Sequence, residues 1–166
     1  MRFNRQSAVH RLLAGLAIAA VIASAACAVK GRTLEGISAD YSVQVGRSVA
    51  VAQEAVGTFG KASADPKVRN ASVLALKGLD VVNVKGLQLA DLLDKIVALR
   101  RANQPIDNSL IAQALALVDA LDSAIDLDVI PHLGDAPEAR AALEAARAVS
   151  KLVLSFQFQL GQLKGV

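Results

Sequence analysis

Small and aliphatic side chains recur at three- and four-residue steps through four segments of this chain, and that spacing constrains its fold more than any other feature. Residues three and four apart lie on one face of an α-helix. Hydrophobic residues make up 54% of the sequence and aromatic residues only 3%, so the core must consist mainly of Ala, Val, Leu and Ile. Alanine favours helices and is depleted in strands. The sequence therefore predicts an all-α fold.

The first predicted helix begins at Tyr41 and ends at Gly57 to Gly60. Its apolar face is predicted to consist of Val45, Val49, Ala52, Val56 and Phe59. A short β-hairpin is the alternative, because valines also alternate with other residues on both sides of Gly46.

The second predicted helix covers residues 66–101. Asp65 can cap its N-terminus, Pro66 suits the first helical position, and Gln104-Pro105 stops it. Gly78 and Gly86 lie within it, so a break there would give a fifth helix. An unbroken helix would be about 54 Å long, against about 30 Å for its neighbours, and its end would then project from the bundle.

Two more helices follow. Asp107 or Asn108 can cap the third, whose apolar positions repeat from Leu110 to Ile125. Asp135 and Glu138 form a capping box for the fourth, which ends near Gly161 to Gly165. Four amphipathic segments joined by short turns predict an up-down antiparallel bundle of four helices, or five if the second breaks, over residues 41–166.

A hydrophobic N-terminal segment precedes this domain. Leu12–Val29 contains no charge and follows Arg2, Arg5 and Arg11, which is typical of a secretory signal peptide. As a helix it would measure about 27 Å, close to the hydrocarbon thickness of a bilayer at about 30 Å, so an uncleaved anchor is the alternative. Residues 1–29 are therefore predicted to be a signal peptide or membrane anchor.

Residues 30–40 contain two glycines among polar residues and are predicted to form a flexible tether. The excess of arginine before the hydrophobic segment predicts a cytoplasmic N-terminus if that segment is retained. The domain would then lie in the periplasm or on the outer face of the membrane, as a bacterial or phage-encoded protein of the cell envelope.

Cys27 is the only cysteine of the chain. Ser24-Ala25-Ala26-Cys27 resembles a lipoprotein signal, although Ser24 stands where an aliphatic residue is usual, and Cys27 is therefore a candidate for lipidation. Simple cleavage is an alternative, since 23–25 and 26–28 both have the A-x-A spacing. Cys27 could equally be a small apolar residue of a retained helix.

The net charge of +3 comes entirely from the N-terminal segment, because removal of Arg2, Arg5 and Arg11 leaves a neutral chain. A neutral domain with one Tyr and no Trp lacks the basic surface and the stacking residues of nucleic-acid binders. We therefore exclude nucleic acid as a partner.

Acidic residues are concentrated in one region. No Lys or Arg occurs from Ala102 to Ala139, and Asp119, Asp122 and Asp126 share one flank of the third predicted helix. We favour an ordinary solvated face, in a domain whose acidic half packs against its basic half. The alternative is that this flank is a candidate partner-binding face.

The sequence contains few residues or motifs that are typical of catalytic or ligand-binding sites. His10 and His132 are the only histidines, and no metal-binding, nucleotide-binding or serine-hydrolase motif occurs, so we predict no cofactor and no enzymatic activity.

The leading hypothesis is an envelope protein held at the membrane as a structural or partner-binding module. The alternative is a membrane-active, holin-like pore, suggested by the small residues along several helices. Partner and oligomeric state are not indicated.

Overall fold

A computed structural model describes residues 34–133 and 139–163, which form helices and contain no strand. The four α-helices are α1 (Leu34–Ala62), α2 (Pro66–Arg101), α3 (Asn108–Ser123) and α4 (Ala139–Leu163). A π-helical turn (Ala124–Val129) and a 3-10 turn (Ile130–His132) follow α3. The all-α prediction is confirmed. The predicted signal or anchor, Cys27 and the capping box at 135–138 lie outside the described residues.

The four helices form a bundle in which each helix packs beside the next along the chain, and α4 returns to pack against α1. Contacts between α1 and α2 pair the end of one helix with the start of the other: Gly60 lies against Ser72, and Val45 against Gly86. The two helices are therefore antiparallel. The core between the helices is almost entirely aliphatic, and Tyr41 is its largest fully buried side chain; burial raises the pKa of its phenol.

Helix α1 begins at Leu34, so residues 34–40 of the predicted tether are helical. Ser38 and Tyr41 are buried and continue the three- and four-residue spacing toward the N-terminus from Val45. The Ser38 hydroxyl donates a hydrogen bond to Asp94 of α2. Because residues 41–62 are also helical throughout, the alternative hairpin does not form. Tertiary contacts therefore extend the helix into a segment that its glycine and polar residues suggested would be mobile.

Helix α2 is continuous through Gly78 and Gly86, so there is no fifth α-helix among the described residues. Both glycines are buried where another segment approaches closely. A Cβ atom at Gly78 would lie 2.8 Å from the backbone oxygen of Asp128, and one at Gly86 would lie 2.5 Å from Cγ1 of Val45. The absence of a side chain at these positions permits the contacts, and the packing outweighs the low helix propensity of glycine.

The predicted overhang of α2 is reduced because its neighbour is longer than expected. Helix α1 has 29 residues, which is about 43 Å of helix. Buried residues of α2 extend from Ser72 to Val97, and Val68 also packs against the core. Only short ends of α2 therefore lie beyond the shared core.

The starts of α2 and α3 follow the predicted capping pattern. Asp65 accepts a hydrogen bond from the backbone N–H of Lys67, and Asp107 accepts one from that of Ser109, each at 2.8 Å. These hydrogen bonds satisfy backbone donors that a helix leaves free at its first turn. Hydrogen bonding from the Ser109 backbone also lowers the pKa of Asp107. Helix α2 ends where Asn103 adopts a left-handed conformation with φ of 51°.

No helix within residues 34–133 and 139–163 has an apolar stretch long enough to cross a membrane.

Candidate interaction surface

The predicted acidic flank lies along α3 and the π-helical turn. Asp119 and Asp126 are exposed, and Asp122 is half-buried. Asp119 and Asp122 face α4, whereas Asp126 belongs to the π-helical turn beyond the end of α3. The structure therefore divides the flank into a part that contacts another helix and a part directed to solvent.

Asp119 and Asp122 connect α3 to α4 through neutral donors. The Ser150 hydroxyl donates to Oδ1 of Asp122 at 2.9 Å, and the Gln157 side-chain amide donates to Oδ1 of Asp119 at 3.0 Å. Ser150 and Gln157 are seven residues apart and so share one face of α4. These carboxylates thus contact their own half of the chain. The ion pair that the structure describes, Arg147 with Glu144 at 3.7 Å, lies within α4.

The π-helical turn presents three consecutive exposed residues, Asp126, Leu127 and Asp128, which we call the acidic turn. Leu127 is 70% exposed, the highest value among the large apolar side chains of the described residues. A π-helical turn places more residues in each turn than an α-helix does, and such turns are frequent at functional sites. Leu127 is therefore an exposed apolar side chain that is flanked in sequence by two exposed aspartates.

The opposite side of this turn is fixed in the bundle. Ala124, Ile125 and Val129 are buried, and the backbone of Asp128 packs against Gly78 of α2. The close approach to Gly78 fixes where the turn sits, so the three exposed residues project from a buried support. The sequence identified Asp126 as a candidate but not Leu127 or Asp128, because its regular spacing through Ile125 gave no sign of a π-helical turn.

The acidic turn carries two exposed carboxylates. Asp126 and Asp128 lie in a stretch of sequence, from Ala102 to Ala139, that contains no Lys or Arg. A basic surface would be attracted to such a region, and an apolar pocket in that surface could receive Leu127.

Residues of the types that bind metal ions are dispersed in the described part of the chain. His132 is half-buried in the 3-10 turn. Within the described part of the chain, His, Cys, Asp and Glu do not form a group of three suited to holding a metal ion.

A second exposed region lies on α2 and was missed by sequence reasoning. Of the eight large apolar side chains that are exposed in the described residues, five are on α2. They form what we call the α2 outer face: Val73, Leu74, Val81, Val84 and Leu87. The sequence contains one indication of this face: valines such as Val84 lie outside the stripe of regularly spaced residues that α2 buries.

Comparison of the chain with protein-family models, with curated proteins and with solved structures finds no match in any of the three.

Proposed function

We propose that this protein is an exported or membrane-held cell-envelope module with a structural or partner-binding role, and that the acidic turn is its docking surface for another protein. Exposure of Leu127 between Asp126 and Asp128, on a turn whose other side is buried, is the observation on which the docking proposal rests. The chemistry of the turn suits a partner with a basic surface and a small apolar pocket.

The location is supported by the sequence of the N-terminus. Three arginines followed by the charge-free Leu12–Val29 are expected to direct the chain to the membrane. Cys27 would carry the lipid in one form of this proposal, and a retained anchor with a cytoplasmic N-terminus would hold the chain in another. Confinement at a membrane raises the effective concentration of a module relative to partners held there.

The docking role is supported by the burial of the other side of the turn. Ordering a mobile loop on binding has a conformational cost, and a loop already held by packing avoids most of it. Asp126 and Asp128 would increase the association rate with a basic partner, while Leu127 would provide buried apolar area. Such a contact weakens as salt increases, since exposed charges are screened.

Intact mass of the full chain from the membrane fraction tests the location. A mass lacking residues 1–26 and carrying acyl chains is expected for lipidation of Cys27, whereas the full mass in the membrane fraction indicates a retained anchor. Cys27→Ser should abolish acylation in the first case and leave membrane association intact in the second. Full-length chain freely dissolved in the cytosol would overturn the proposed location.

Site-specific photo-crosslinking in cells tests the docking surface. A photoreactive amino acid replaces Leu127 in one variant and Leu154 of α4, which is 47% exposed, in the matched control. A discrete product is expected at position 127, and it should diminish when Asp126→Asn and Asp128→Asn are added. Equal crosslinking at the two positions, or no dependence on the two carboxylates, would contradict the proposal.

The pore hypothesis derived from small residues that could let helices approach within a bilayer. In the structure, Gly78 and Gly86 make their close contacts inside this bundle. We therefore favour the module over the pore. Dye leakage from vesicles, measured with the full chain and with a chain lacking residues 1–29, compares the two directly.

A further inference from the structure

Charged residues flank the α2 outer face in an order that would complement a second, antiparallel copy of the same face. Lys77, Val84 and Asp91 are exposed and spaced seven residues apart, so they lie nearly along one line of the helix, with a drift of about 20° per seven residues. From Lys77 to Asp91 the order along this line is basic, apolar, acidic. Two such lines placed antiparallel would match a base with an acid at both ends.

Apolar side chains surround the centre of this line. Val84 is 53% exposed, and Val81 and Leu87 flank it at 44% and 49%. Exposed apolar residues scattered singly are common on proteins, but a concentration on one helix face is typical of an interaction surface. Leu87, Val84 and Val81 occupy successive turns, so they can pack against a helix lying alongside α2.

The charges at the two ends are available for an intermolecular contact. Within the described residues, neither Lys77 nor Asp91 forms an ion pair. Asp80, one turn before Val84 on the same face of α2, already accepts a hydrogen bond at 2.8 Å from Gln53 of α1, so it is held toward the neighbouring helix. Lys77 and Asp91 are separated by 14 residues, about 21 Å of helix, and cannot contact each other within one chain.

We propose that the α2 outer face binds the same face of a second copy of this chain, with the two α2 helices antiparallel and Val84 at the twofold axis. Lys77 of each copy then lies level with Asp91 of the other, and the apolar side chains around Val84 are buried between them. A contact that uses the same surface on both copies is the usual form of a homodimer. This inference goes beyond the proposed function, because it concerns a different surface and does not depend on where the chain is located.

Disulfide crosslinking of the full chain in whole expressing cells, without fractionation, tests the geometry wherever the chain is located. Val84→Cys would place two thiols at the axis, so oxidation should give a dimer joined through residue 84. Val43→Cys on α1, where Val43 is 50% exposed, is the matched control, and the unaltered chain measures the contribution of Cys27. We expect several-fold more dimer from Val84→Cys than from either control.

Charge reversal tests the register. Lys77→Asp or Asp91→Lys in the Val84→Cys chain should lower the dimer yield, by about threefold to tenfold, because each replaces two attractive pairs per dimer with repulsive ones. The chain carrying both reversals should recover the yield, since its charges again complement each other. Persistence of the defect in the double variant would overturn the antiparallel arrangement.

Peptide mapping of the crosslinked product separates self-association from other occupants of this face. A disulfide joining residue 84 to residue 84 supports the proposal. A disulfide joining residue 84 to Cys27 would show that the N-terminal segment covers the face and would overturn it. Crosslinking at Val84→Cys no greater than at Val43→Cys would also overturn it.

Discussion

The inner and outer parts of this bundle are joined by different kinds of contact. Inside, α2 meets its neighbours at Gly78 and Gly86, where there is no side chain and another segment occupies the vacant space. At the rim, helices are joined by hydrogen bonds from neutral donors to aspartates, such as Ser150 to Asp122. The inner contacts require that glycine has no side chain, whereas the rim contacts require specific hydrogen-bonding side chains. A larger residue at an inner contact should therefore lower the stability of the fold, and removal of a side chain at the rim should lower it slightly.

Gly78→Ala should give the largest effect on stability. The new Cβ would lie 2.8 Å from the backbone oxygen of Asp128 and 2.9 Å from Cγ2 of Val129, and a backbone atom cannot move aside by changing rotamer. Overpacking costs about 1–3 kcal/mol or more, against a gain of about 1 kcal/mol in helix propensity. Because the obstacle is a backbone atom, we expect a cost at the upper end of this range and therefore a net loss of about 2 kcal/mol in the free energy of unfolding, measured by urea denaturation followed by circular dichroism. An unchanged midpoint would contradict the close approach of the π-helical turn to α2.

Gly86→Ala should be less damaging because its obstacle is a side chain. The new Cβ would lie 2.5 Å from Cγ1 of Val45, and the neighbouring backbone lies farther away. We expect a loss of about 1 kcal/mol. Val45→Ala removes the obstacle at the cost of a small cavity, so the double variant should be more stable than the sum of the two single effects predicts. Simple additivity in this cycle would show that the two residues do not interact.

The difference between inner and outer contacts also marks the limit of prediction from sequence. The start of α2 at Pro66 and its end at Arg101 followed from local chemistry, an Asp-Pro pair and the stop at Gln104-Pro105. The continuity of α2 through Gly78 did not, because the segment that packs there comes from a distant part of the chain. From the local sequence, a glycine such as Gly78 predicts a break in the helix. Only the tertiary packing shows that Gly78 is a point of close contact with another segment.

The candidate sites show the same limit. The flank shared by Asp119, Asp122 and Asp126 could be predicted from helical periodicity alone. Their separation into two groups depends on which face of α4 meets α3, and on a π-helical turn that shifts the residues after Ser123. Neither property is contained in the spacing of one segment, and Leu127 was therefore not recognised as an exposed side chain.

Asp122→Ala tests the rim and should have a moderate effect. It removes the acceptor for the partly buried Ser150 hydroxyl, and the loss of such a hydrogen bond typically costs about 1 kcal/mol. Asp119→Ala is the matched comparison, because its hydrogen bond to Gln157 is exposed and water can replace the lost acceptor. Thermal unfolding should therefore rank Asp122→Ala as the less stable of the two. The reverse order would indicate that the exposed pair contributes more to the α3–α4 contact.

Gly46→Ala should have the smallest effect and the opposite sign. Gly46 lies in α1, and among the described residues no atom of a neighbouring segment lies within 4 Å of the position its Cβ would occupy. The added methyl group meets no obstacle, while replacement of glycine within a helix contributes about 0.5–1 kcal/mol of stability through backbone entropy. Urea denaturation should show a higher midpoint than the unaltered chain. Gly78→Ala and Gly46→Ala introduce the same atoms into helices, so opposite changes in stability would assign the difference to the segment that packs against Gly78. Destabilisation by Gly46→Ala would contradict this assignment.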